Sequence, residues 1–148
     1  MSRATALDGE GVVSTVWGLD APHTVEELGE AMLALQHLIR WSNHATLNAP
    51  RTVLPDAENV ATVARRLGDA LGGLPQLLDQ LAGRCDGMAE DPALRAAQWN
   101  GPDDPRRAAS SAAAELRAVS AVAGALRERI QRAASAMTTI YLDDEDGR

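Results

Sequence analysis

Between residues 112 and 140 apolar side chains recur at alternating steps of four and three: Ala112, Leu116, Val119, Ala123, Leu126, Ile130, Ala133, Met137 and Ile140. That is the period of a helix packed along a seam against other helices. Two earlier segments share the rhythm. Val25, Leu28, Met32, Leu35 and Ile39 form the first ladder, widened by Ala31, Ala34, Leu38 and Trp41. Val60, Val63, Leu67, Ala70, Leu74, Leu77 and Leu81 form the second. The pattern predicts an all-α protein, an antiparallel bundle of three long helices with one or two short accessory helices.

Punctuation sets the boundaries. Thr24-Val25-Glu26-Glu27 reads as a capping box, and the first long helix is expected to end near 45–48, ahead of Pro50. Pro50 and Pro55 bound a linker, and Asp56 is a good N-cap for the second helix. Gly72-Gly73-Leu74-Pro75 interrupts that helix, but the apolar phase passes through unbroken. One kinked helix is therefore favoured over two. Residues 92–99 suggest a short helix before the break Asn100-Gly101-Pro102, and Asp103 or Asp104 caps the final helix, expected to run to about Tyr141. Val12, Val13, Val16 and Trp17 suggest a second accessory element, either one helical turn or an extended segment, which should dock because its apolar side chains are costly to leave in water. The expected organisation is a flexible, partly docked segment at 1–22, a bundle at 23–142 and an acidic tail at 143–148.

Composition narrows the function classes. The 148 residues include 45% hydrophobic but only 3% aromatic, with no Phe, so Leu, Val, Ile, Met and Ala must make the core. All basic residues are Arg, and the Ala, Arg, Gly and Asp content suggests a GC-rich bacterial coding sequence. A net charge of −7 repels a phosphate backbone and makes nucleic acid an unlikely partner. Six Arg lie between 106 and 132, against Glu115 and Glu128. Arg127, Arg129 and Arg132 form the densest cluster, a candidate partner-binding surface. Glu26, Glu27 and Glu30 open the first helix, so antiparallel packing would bring the two clusters together; each also complements its own helix dipole.

Catalytic constellations are thin. His37 and His44 share a face two turns apart, but the chain has no Glu-x-x-His spacing of the kind bundle metal sites use. Cys85 is the single cysteine, and Ser110, Ser111 and Ser135 have no base placed beside them by any motif. The expectation is a non-enzymatic chain without cofactor or metal. With no apolar run near the ~20 residues of a membrane span and no apolar signal core at the N-terminus, no membrane insertion and cytoplasmic residence are expected. The expected role is a protein-interaction or adaptor protein, its partner another protein or itself as a homodimer.

Two short motifs add an alternative. Trp99-Asn100-Gly101 is a W-x-G in a turn before a long helix, and Tyr141-Leu142-Asp143-Asp144-Glu145 is a Y-x-x-x-E just beyond it. Over residues 99–145 the chain resembles the WXG100 (ESX) proteins, small helical hairpins. The resemblance implies export as a dimer by type VII secretion without a cleavable signal, with Trp99, Gly101, Tyr141 and Glu145 in the export signal. The chain departs from that family in its greater length, in Pro92 ahead of the turn, and in the additional helix beginning at Thr24.

Overall fold

The computed structural model describes residues 8–20, 22–98, 101 and 103–140. Every regular element among them is helical: α1 (Gly9–Val16), α2 (Val25–Asn48), α3 (Pro50–Val53), α4 (Ala57–Ala70), a 3₁₀ turn (Leu71–Gly73), α5 (Leu74–Glu90) and α6 (Pro105–Met137). The chain divides into two units, Met1–Val53 and Leu54–Arg148.

In the first unit, Asp8 caps α1 by accepting from the Gly11 amide at 2.8 Å. The 12–17 stretch thus falls in the second half of this two-turn helix, with Trp17 as its C-cap; Trp17 is half-buried, while Val12, Val13 and Val16 remain about half exposed or more. The capping box of α2 is formed in both directions. The Glu27 amide donates to Thr24 Oγ1 at 3.1 Å, and the Thr24 amide donates to Glu27 Oε2 at 3.0 Å. No residue of this 24-residue helix is buried, and Leu28, Met32, Leu35 and Ile39 are all exposed.

The second unit is an antiparallel hairpin of α4–α5 against α6. Gly68 lies opposite Ile130, Gly72 opposite Arg127, and the Ser120 hydroxyl donates to the Pro75 carbonyl at 3.2 Å. Caps fix both arms. The Asp56 carboxylate accepts from the Asn59 amide at 2.7 Å, and Asp104, not Asp103, accepts from the Arg107 amide at 3.0 Å with Pro105 in the first turn.

Helical backbone continues through Gly72-Gly73: Leu71, Gly73 and Leu74 all keep right-handed helical angles. The tightening has a local cause. Pro75 has no amide to give the Leu71 carbonyl, so the Leu74 amide bonds there instead, one residue short of the α pattern.

The inward seams differ from the ladders of large residues. On α4–α5 the buried or half-buried positions run Ala57, Ala61, Ala64, Gly68, Leu71, Pro75, Leu78, Ala82, Cys85, Ala89. This ladder has the expected period but is rotated by one residue from Val60–Leu81. On α6 the inward positions are Ala109, Ala113, Leu116, Ser120, Ala123, Ile130, Ala134 and Met137, with Arg127 lying against Gly72. Leu116, Ala123, Ile130 and Met137 keep their expected place; Val119 and Leu126 do not, being 50% and 46% exposed. The physical reason is size. Ala, Gly and Ser at the tightest contacts let the helices approach closely, and Val119 and Leu126 lie on the flank.

Two boundaries also move. Residues 92–98 form turns, not a helix, because the Asp91 carboxylate accepts from the Ala93 amide at 2.8 Å and the Leu94 amide bonds the Asp91 carbonyl at 3.1 Å. Helix α6 stops at Met137, where the Thr138 and Thr139 hydroxyls donate back to the Ser135 and Ala136 carbonyls at 2.7 and 2.8 Å.

Ala82 is fully buried, so Ala82→Leu is expected to cost about 1–3 kcal/mol by overpacking, measured by urea denaturation. Ala121→Gln, on the exposed side of α6, should stay within about 0.5 kcal/mol. A pH effect follows from Asp56, whose pKa is lowered first by the Asn59 backbone amide and then by the Asn59 side chain. A depressed carboxylate stabilises fully above its ordinary range and loses this as pH falls through the lowered value. Amide-exchange protection at Asn59 should therefore fall upon acidification below about pH 4 and persist in Asp56→Asn, which caps without charge.

Candidate functional site

The hairpin has two unlike faces. One helical position beyond the inward seam lie Arg65, Asp79 and Asp86 on α4–α5, and Arg117 and Gln131 on α6. Asp86 and Arg117 are joined there by a direct ion pair across the hairpin. The carboxylate raises the Arg117 pKa, chiefly through the hydrogen bond and then through its charge. Both side chains are substantially solvent-exposed, so the pair sets the register of the arms more than their stability.

The opposite face carries the displaced large residues. Val60, Leu67, Leu74, Leu81 and Met88 line it on α4–α5; Ala112, Val119, Leu126 and Ala133 line it on α6. They share one side because stepping back one residue from the seam turns both arms of an antiparallel hairpin the same way. None of these nine positions is charged. Outside them runs a rim of Val63, Leu77 and Arg84 on one arm, and Glu115, Val122 and Arg129 on the other. Val122, at 66% exposure, is the most open large apolar residue of α6.

The Arg cluster does not act as one patch. Arg127 lies over Gly72, where a Cβ would come within 3.3 Å of its Nε. Arg132 is 3.8 Å from Glu128 on the next turn, with both side chains mostly exposed. Arg129 sits on the rim of the apolar face. The Gly72 contact gives that glycine a packing role beyond helix geometry.

Of the W-x-G and Y-x-x-x-E residues, Trp99, Tyr141 and Glu145 lie outside the described residues. Gly101 is half-buried, and its amide donates to the Ala97 carbonyl at 3.0 Å. A Cβ at Gly101 would sit 2.5 Å from the Ala97 nitrogen and 2.7 Å from the Ala96 Cβ, so the turn requires glycine by close approach.

His37 and His44 are exposed on α2, Cys85 is half-buried on the inward seam, and among the described residues no group of three or more His, Cys, Asp or Glu converges to hold a metal. The Ser135 hydroxyl donates to the Gln131 carbonyl at 3.0 Å, within its own helix. In the first unit an open cleft of about 500 Å³ lies between the end of α1 and the start of α2, lined mainly by apolar side chains including Val16, Trp17, Leu19, Val25 and Leu28. No described helix is long and apolar enough to cross a membrane.

No family model matches the chain, and neither a curated protein nor a solved structure matches it.

The Gly101 contact generates a paired test. Gly101→Ala should destabilise by about 1–3 kcal/mol in thermal or urea unfolding, because the turn has to move. Gly124→Ala, where a Cβ meets nothing within 4 Å, should stabilise by up to about 1 kcal/mol through helix propensity.

Proposed function

We propose that this chain is a non-catalytic protein-interaction or adaptor protein that works by covering apolar helix faces, with itself or with another protein. The observation carrying this reading is the uncharged strip from Val60 to Met88 and Ala112 to Ala133, in which Leu67, Leu81, Met88, Val119 and Leu126 stay 41–50% exposed while Val60 and Leu74 are half-buried. Contiguous exposed apolar surface of this kind marks association sites. The capped but unburied helix α2 supports it further, since helical stability in proteins comes chiefly from packing an apolar face. Within this reading the long helices complete an antiparallel bundle, as their shared apolar period predicts, when such faces are covered. Cytoplasmic residence goes with it, and nucleic acid is disfavoured by the acidic balance.

A second reading, a WXG100-like substrate or partner of a type VII secretion system, is favoured by the close glycine turn at Gly101 between the two arms of a helical hairpin. Under it the chain leaves the cell without a cleavable signal.

Light scattering and pull-down on the full chain test the first reading: a complex, homo- or heteromeric, is expected, and a strict monomer that captures nothing ends it. Export assayed with Tyr141→Ala and Glu145→Ala tests the second. Loss of export in either variant supports it, while unchanged export in both, or none from the wild type, rejects it.

A further inference from the structure

We infer that the apolar face of the α4–α5/α6 hairpin docks a second copy of itself, so that two hairpins associate face to face through Leu74, Leu81, Val119 and Leu126. This rests on the interaction-protein reading and names the surface and the occupant.

Size is the first argument. From Val60 to Leu81 the face runs about 32 Å at 1.5 Å per residue. Two helices packed 8–10 Å apart make it roughly 20 Å wide. That is roughly 600 Å² of face per copy and about 1,200 Å² in total, at the lower edge of a specific interface.

Charge complementarity is the second. The strip itself is uncharged, and Arg84, Glu115 and Arg129 are the charges on its rim. The contacts of Gly68 with Ile130 and of Gly72 with Arg127 fix the register. At that register Arg84 is level with Glu115, and Leu77 is level with Val122. Laying two identical faces together by a two-fold axis along the helices sets Arg84 of each copy beside Glu115 of the other. An axis across the helices, centred on Val122, sets Glu115 beside Arg129 instead. Either way the acid on the rim meets an arginine of the second copy, twice per dimer. The polar face with the Asp86–Arg117 pair stays outward, in water.

Sedimentation equilibrium on the full chain reads the outcome. Wild type should have twice the 15.6 kDa chain mass. Leu126→Asp and Val122→Asp should each give monomers with unchanged helical circular dichroism; Val122 is already 66% exposed, so the hairpin does not need it to fold. Glu115→Arg should weaken the dimer about two- to thirtyfold, as two exposed ion pairs turn repulsive. Adding Arg84→Glu or Arg129→Glu should restore it and identify the axis. A wild-type monomer overturns the proposal and the self-association arm of the functional reading together. A dimer whose dissociation constant ignores both Leu126→Asp and Val122→Asp overturns this face alone and leaves that reading standing.

Discussion

Close approach of two helices through small side chains is the constraint on which the second unit depends. The buried side chains of the hairpin are Ala57, Ala61, Ala82, Ala113, Ser120, Ala123 and Ala134, with Gly68 buried beside Ile130 and Gln131. A Leu in place of one of these buried small residues would hold the helices apart, and the neighbouring contacts would be lost with the distance. Gly72 serves the same end where a long side chain crosses, because the Arg127 Nε lies only 3.3 Å from where a Cβ would stand. The 3₁₀ turn beside it keeps the row in phase, so a proline that removes a helix hydrogen bond does not break the arm.

The same constraint explains how much of the fold could be read from the sequence. Helix type, the Thr24 and Asp56 caps and the end of α2 were legible because each depends on local chemistry: an oxygen at the N-cap, a proline after the C-cap. The period of the two hairpin seams was legible too. Their rotation was less so. Where an apolar stripe is wider than one contact, hydrophobicity alone does not say which edge turns inward, and the large residues outweigh Ala in any such reading. The signal that resolves it is a repeat of small residues. Ala61, Gly68, Ala82 and Ala89 fall at multiples of seven, as do Ala113, Ser120 and Ala134. The short helix expected over 92–99 is absent over the described residues 92–98 for a different reason, since Asp91 satisfies the backbone locally in a turn.

The candidate site was hidden by that same ambiguity. Residues that read as core, Val119 and Leu126 above all, form the open face instead, and Glu115 and Arg84 become informative only once the register is known. The Arg cluster reads as one surface in sequence because three arginines fall within six residues. Helical geometry sends them in different directions: Arg127 across the seam, Arg129 to the apolar rim, and Arg132 toward Glu128.

A core of alanine has a consequence for stability as well as for shape. Ala loses no side-chain entropy when buried, but it removes little apolar area from water, at about 25 cal/mol per Å². The larger apolar groups, which carry most of the available burial energy, sit half open on the flank. The hairpin therefore draws its geometry from one set of residues and holds much of its unrealised burial energy in another. Whatever covers the flank adds directly to the stability of the helices beneath, since binding to the folded state alone shifts the folding equilibrium by mass action. Association and folding are coupled in such a chain: inward alanines decide which hairpin forms, and outward Leu and Val decide how firmly it stays formed.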